Sequence, residues 1–316
     1  MTGLSAHNSI IVTGSIAYDD IMNFPGFFKD FFHPEKLHQI NVSFAVQTLN
    51  KHLGGTATNI AYNLTRITDK NTRILGAMGQ DHAELTSFYK KNNISYEGSI
   101  IDSELYTSTG KVITDNANNQ IWGFYYGAAE KGNQIDLSLI TEKDFVIISA
   151  NHLNAYLHIQ DHCVKKHISY LYDPGMSLTW ISDDDLRYGI EEAKYVIGND
   201  YEIAQIERRL KLKVADLTAK NIAVITTLGA DGVRFEDKEK TITVSGFKVD
   251  KLKDPTGAGD AWRGGFVGAL VEGNPLAASL RIANALASFA VENFGTVRHT
   301  PSRDEIMARA ETLLVT

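Results

Sequence analysis

With 38 Asp and Glu against 31 Lys and Arg among 316 residues, the chain carries a formal net charge of -7 and is long enough to bury a large core. That balance argues against DNA or RNA as a partner, although a nucleotide needs only a local site. No apolar stretch approaches the roughly 20 residues that cross a bilayer, and the N-terminus lacks a basic region leading into a long apolar run, so a cytoplasmic protein without a membrane partner is expected. Cys163 is the only cysteine, which excludes intramolecular disulfides and cysteine-built zinc sites and suits a reducing compartment. The 10 histidines are scattered. His152, His158, His162 and His167 crowd one region, with 158 and 162 at helical spacing, and a solvated helix face is the default reading.

In chain order, residues 9–15 form a short apolar run ending near Gly14, as expected of a buried strand delivering a loop. Residues 24–32 hold Phe24, Phe27, Phe28, Phe31 and Phe32 without helical periodicity, which suits a flap or a subunit contact. Segments 41–44 and 106–126 read as extended, with turn chemistry at 115–119. From about residue 144 strands near 145–149, 169–172, 195–198 and 222–227 alternate with helices near 156–168, 184–193 and 200–218. Unbroken apolar strands alternating with helices predict a parallel sheet covered on both faces. A hairpin over 233–247 follows, then helices near 258–272, 275–292 and 302–313.

Within this frame, residues 254–267 (Asp-Pro-Thr-Gly-Ala-Gly-Asp-Ala-Trp-Arg-Gly-Gly-Phe-Val) carry the strongest chemical signal. Gly257, Ala258 and Gly259 leave backbone N–H groups uncovered at a helix start, where an anion such as a transferring phosphoryl group is attracted. Asp260 beside such an anion hole has an obvious task, to take the proton of an attacking hydroxyl. The plainer alternative makes Asp260 an N-terminal cap.

Four further segments bear on that choice. Asp19, five residues beyond Gly14, is placed to chelate neighbouring sugar hydroxyls, with Asp20 on the other face of the strand and one of the two facing solvent. Gly54-Gly55-Thr56-Ala57-Thr58-Asn59 opens a helix; Gly55 lets a ligand approach the backbone and Asn59 offers a donor and an acceptor in the first turn. Asn199 and Glu202 share a helix face and can hold the water shell of Mg²⁺, or else form a capping box. Thr227 and Gly229 close a strand and suit nucleotide phosphate, although a plain turn explains the same letters. Asn284, inside an apolar helix, is either a satisfied core amide or an adenine contact. No Gly-x-x-x-x-Gly-Lys-[Ser/Thr] occurs, and Gly257-Ala258-Gly259 lacks the third glycine of a dinucleotide fingerprint.

The order of these segments resembles the ribokinase-like (PfkB) carbohydrate and nucleoside kinase family over about residues 10–301. The resemblance implies a three-layer α/β/α fold with a mostly parallel central sheet. It places residues 1–20, 46–97 and 126–316 in a large α/β domain and 21–45 with 98–125 in a small β-rich lid. Residues 14–26 (Gly-Ser-Ile-Ala-Tyr-Asp-Asp-Ile-Met-x-Phe-x-Gly), 40–44, 119–121 and 173–175 are similar to the microbial adenosine and broad-range nucleoside kinases of the family. The implied reaction is transfer of the γ-phosphoryl group of ATP to the 5′-hydroxyl of a nucleoside, adenosine favoured; the alternatives are a sugar kinase of ribokinase or fructokinase type and a non-catalytic nucleotide-binding regulator.

By motif, Asp19, Gly55 and Asn59 hold the ribose, and Asn199 and Glu202 organise Mg²⁺ through water. Thr227, Gly229 and Asn284 contact ATP, Gly257–Gly259 form the anion hole and Asp260 is the base. Family members often bind a monovalent cation such as K⁺ beside that loop, here near Asp254, Thr256, Ala290, Asn293, Gly295 and His299. Pro255 stands where many members have threonine, and Thr56 and Thr58 where some sugar kinases have lysine or glycine. A monomer or a lid-mediated homodimer is the expected assembly. Tyr106, Trp122, Phe124 and Tyr125, with Phe24 and Phe44, favour a substrate that stacks, unless those rings form the lid's own core.

Overall fold

The computed structural model describes residues 4–32, 39–117 and 119–316; residues 33–38 of the expected lid and Asn118 of the expected turn lie outside them. The first half of the chain contains β1 (Ser9–Thr13), β2 (Ala17–Asn23), β3 (Thr48–Gly54), α1 (Thr56–Ile67), β4 (Asn71–Leu75) and β5 (Ala77–Met78). It continues through α2 (Ala83–Lys91), β6 (Ile94–Ser95), β7 (Ile100–Ile101), β8 (Ser108–Thr114) and β9 (Gln120–Tyr125). Regular alternation follows with β10 (Asp144–Ile148), α3 (Leu153–Lys165), β11 (Tyr170–Tyr172), α4 (Asp183–Glu191), β12 (Tyr195–Asn199), α5 (Asp200–Leu210), α6 (Val214–Ala219) and β13 (Ala223–Thr227). The chain ends with β14 (Val233–Glu236), β15 (Thr241–Val244), α7 (Ala258–Val271), α8 (Leu276–Val291) and α9 (Arg303–Glu311).

A nine-stranded sheet in the order β15-β14-β13-β12-β11-β10-β1-β4-β6 forms the centre. Its ladders are parallel from β6 across to β13, and only the β13–β14 and β14–β15 ladders are antiparallel. The strands are apolar on both faces because both are covered. On β1, Ile10 and Val12 enter one core with α1, α2, α7 and α8, whereas Ile11 enters the other with α3, α4, α5 and α6. That alternation is the period-2 pleat made visible. The long helix expected over 200–218 is two helices, because Lys211 adopts a left-handed conformation (φ 52°) and ends α5. No helix among the described residues is long and apolar enough to cross a membrane.

A second sheet of four strands, ordered β3-β2-β8-β9, leans over the carboxyl ends of the central strands. It draws in Ala17–Asn23 and Thr48–Gly54; residues 17–20 and the whole of the second strand were expected in the large domain. Thr48–Gly54 is polar and largely exposed, so no apolar period marks it. Residues 41–44 are not in a ladder; Phe44 instead packs on Phe24, Phe28, Phe31 and Phe32 at ring distances of 4.9–6.2 Å. The phenylalanines thus cover one another. Asp115 ties that cluster to the sheet by accepting from the N–H groups of Phe28, Ala117 and Asn119. His158 and His162 face the carbonyls of Ile135 and Ile140 rather than each other.

Candidate active site

Between the two sheets lies a cavity of about 380 Å³, where Asp19, Gly55, Asn59 and Asp260 meet although they are far apart in sequence. The start of α1 is fixed first. Thr56 Oγ1 donates to the Ala150 carbonyl at 3.0 Å and accepts from Ser149 Oγ at 2.8 Å and from the Ser15 N–H at 3.2 Å. This single hydroxyl locks the loops after β1 and β10 to the helix. Gly55, at φ 86°, lies so close to the Ser15 carbonyl that no Cβ fits. Thr58 is also structural, hydrogen-bonded in the core to Tyr89 Oη at 2.9 Å.

Asp19 sits on β2 opposite His52 and Gly110. A Cβ at Gly54 would overlap its carboxylate, and one at Gly110 would stand 3.0 Å from Oδ1, so the two glycines clear its space. Burial, then repulsion from Asp20 and Asp254, pushes its pKa up to about 6. Asp20, on the opposite face, corrects the expectation that one of the pair faces water: it is buried and held by Lys111 at 2.7 Å.

Asn59 binds the proposed base directly, its Nδ2 donating to Asp260 Oδ2 at 2.8 Å. Its Oδ1 is buried with no partner among the described residues, an acceptor waiting for a donor. The cap of α7 is Gly257 at φ 78°, packed on Thr296, so Asp260 is not the N-cap. No protein acceptor is found among the described residues for the N–H groups of Gly259 and Asp260, while Ala258 donates to Pro255 O at 3.3 Å. Burial is the main reason that the Asp260 pKa rises to about 6; Asp173 and Asp19 add to it, and Arg263 and Asn59 oppose it.

Arg263 is the residue that the sequence reading missed. Its Nη2 donates to Asp173 Oδ1 at 2.6 Å, its Nε lies 2.5 Å from Oδ2, and both partners are buried in the cavity wall. Its Nη1 lies under Gly259, 2.7 Å from where a Cβ would be. An arginine three residues after the base, in a helix otherwise rich in Ala, Gly, Phe and Val, was the available signal.

The strand ends beside this cavity carry the other expected groups. The β12–β13 register sets Asn199 directly against Thr227. The capping box is real: Asn199 Oδ1 accepts from Glu202 N, and Glu202 Oε2 from Asn199 N, each at 2.8 Å. Glu202 nevertheless lines the cavity, and among the described residues no hydrogen bond to its Oε1 is found. Gly229 (φ 58°) faces open space.

Asn284 requires a correction. It accepts from Trp262 Nε1 at 2.7 Å and donates to the carbonyls of Val244 and Ser245 at 3.2 and 2.9 Å, so its amide holds β15 onto α8. Of the residues expected near a monovalent cation, Asp254 accepts from the N–H groups of Thr256 and Gly295 at 2.9 and 3.1 Å. His299 is buried against Asn63 Oδ1 at 2.7 Å, and burial, then Arg66, depresses its pKa to about 4. Its carbonyl accepts from Tyr62 Oη at 2.6 Å, and that of Ala290 from Asn293 N at 3.1 Å.

Of the rings expected to stack on a substrate, Phe124 alone lines the cavity. Phe24 and Phe44 belong to the separate phenylalanine cluster, and Trp122 is 55% exposed. Phe124 is joined there by Tyr126 and Trp180, beside Met176 and His152.

The profile of the pfkB family of carbohydrate kinases matches residues 13–303. A nucleoside kinase of Methanocaldococcus jannaschii is 29% identical over 286 residues, covering 89% of this chain and 92% of that protein. A ribokinase of Lactococcus lactis is 26% identical, covering 82% of this chain and 86% of its own length. The structure of a Burkholderia thailandensis nucleoside kinase in complex with inosine superposes with a TM-score of 0.84 at 28% identity, covering 96% of this chain and 97% of that one.

Proposed function

We propose, from the premise that this chain belongs to the pfkB carbohydrate kinase family and is therefore a phosphotransferase acting on a hydroxyl group, that its acceptor is a nucleoside, adenosine favoured, and that ATP is the donor. One observation carries the reading. The Asp19 carboxylate and Asn59 Oδ1, both without protein donors among the described residues, converge with Asp260 in a cavity that also takes the rings of Phe124, Tyr126 and Trp180 into its wall. Such acceptors suit a set of hydroxyls, and the apolar wall suits a flat base.

In this reading Asp19 and Asn59 Oδ1 orient the ribose and Asp260 accepts the proton of the 5′-hydroxyl as that oxygen attacks. Base catalysis contributes about 10²–10⁴-fold. The bare N–H groups of Gly259 and Asp260 at the positive end of α7 meet the charge on the transferred group, and Arg263 adds a cation beneath them. The Asn199–Thr227 strand ends with Gly229 form the phosphate side.

A divalent ion fits Glu202: its second oxygen is unclaimed, and one carboxylate with waters and substrate phosphates is how Mg²⁺ is commonly held. When bound, that ion supplies charge neutralisation on the phosphates. The monovalent-cation assignment beside Asp254 and Gly295 stays with the family resemblance.

ADP formation with adenosine, inosine and ribose tests the proposal. Adenosine should be turned over fastest; ribose as the best acceptor would overturn the nucleoside reading, and no ADP with any of them would leave a non-catalytic binder. Asp260→Asn should cost about 10²–10⁴-fold in kcat while nucleoside affinity stays within a few-fold. Near wild-type turnover in that variant removes Asp260 as base.

A further inference from the structure

On the far side of the loop that backs the catalytic glycines lies a second cleft, about 580 Å³, larger than the cavity above. Four elements contribute cationic residues to its lining: Lys51 from β3, whose ammonium lies over the Tyr18 ring at 5.5 Å, Arg66 from α1, Lys91 from α2 and Arg298 from the segment after α8. Glu84 is the only acid in its lining. None of the four cations has a carboxylate within salt-bridge distance among the described residues. The Arg66 guanidinium stacks over Tyr62 at 4.8 Å, and its Nε is buried with no partner, as is Nδ1 of His52 in the same wall. In a chain of net charge -7, four cationic residues without a carboxylate partner thus share one cleft, with Glu84 the one acid beside them.

We infer that this cleft is a binding site for a small phosphate-bearing anion, distinct from the phosphoryl-transfer site. Arg66, whose Nη2 donates to Thr65 Oγ1 and Asn92 Oδ1 at 3.3 Å while its Nε is unmet, forms with Lys91 and Arg298 a set of donors that matches the oxygens of a phosphate group. The cleft also reaches the catalytic loop through a short path. Gly295, flanked by His52 and Arg298, donates to Asp254, which in turn accepts from Thr256; Thr296 lines both cavities and packs on Gly257. An anion held there thus rests against the wall that shapes the anion hole. The inference stands whichever alcohol the enzyme phosphorylates.

Isothermal titration of the full chain with inorganic phosphate, adenosine present and Mg²⁺ absent, tests it against the double variant Lys91→Gln/Arg298→Gln. Both side chains are exposed and lie outside the catalytic cavity, so turnover without phosphate should stay within about twofold of wild type. Wild type should show saturable phosphate binding that weakens about tenfold or more when two charges are removed, and weakens further with salt. Equal affinity in the two proteins would place the phosphate in the anion hole and overturn the site. So would no saturable heat in wild type up to about 20 mM phosphate. A parallel titration with ribose 5-phosphate separates the sources: tighter binding than inorganic phosphate assigns the cleft to a phosphate ester, equal binding to the free ion.

Discussion

Asp19 and Asp260 each have a pKa pushed up to about 6, mainly by burial, so each binds its proton more tightly folded than unfolded. The sign follows from linkage: their protonated forms favour the fold at low pH, and that contribution is lost as pH rises through about 6. Asp260→Asn should therefore raise the melting temperature at pH 8 and change it little at pH 4. A lower melting temperature at pH 8 would contradict the buried-charge account. The same ionisation should give kcat/KM an acid limb near pH 6, since only the ionised base accepts a proton. Arg263→Gln removes the cation restraining that pKa, and the limb should move upward. It also leaves Asp173 buried and unpaired, at a cost of about 3–5 kcal/mol in chemical denaturation. Adding Asp173→Asn should recover much of the stability, but by removing the weaker, repelling charge it should bring the pH limb only part of the way back. If both recover together, Arg263 acts only as a structural strut.

At the scale of elements, Asp115 illustrates how one turn holds a whole segment. Its carboxylate is held down at about 2: burial would raise it, but hydrogen bonds from Asn119, Phe28 and Ala117 outweigh that. Asp115→Ala should release the phenylalanine cluster from β8. Amide exchange should then speed up in residues 24–31 while β10 to β13 keep their protection; unchanged exchange would show that ring packing alone suffices. The central strands were legible because unbroken apolar runs alternate with helices, and the candidate loop at 257–260 stood out because its glycines sit beside an acid at a helix start. Thr48–Gly54 was not, since an exposed polar strand carries no period. Asn284 was undecidable by sequence, because its partners, the carbonyls of Val244 and Ser245, come from a hairpin about 40 residues away. Asp20 and Lys111 met for the same reason: pairing of β2 with β8 is a property of topology, not of neighbouring letters.

For the molecule as a whole, the decisive geometry is that one cavity takes its walls from both sheets: Asp19 and Phe124 from the small one, Asn59, Asp173 and Asp260 from the body. The unmet acceptors on the two sides leave little in the free protein to draw them together, and two carboxylates near each other push them apart. A nucleoside supplies donors to both sides at once, so binding should stabilise the small sheet and the body as one cooperative unit. At a ligand concentration of about 100 Kd the gain is about 2.7 kcal/mol. Adenosine should therefore raise the melting temperature and slow amide exchange in β2 and β8 as well as in α1. Asp19→Asn keeps the shape of that side chain but halves its acceptor capacity for hydroxyls. In that variant the adenosine-induced protection of β2 should shrink far more than that of α1. Equal loss on both sides would mean that the ligand is held by the body alone and that the small sheet merely covers it.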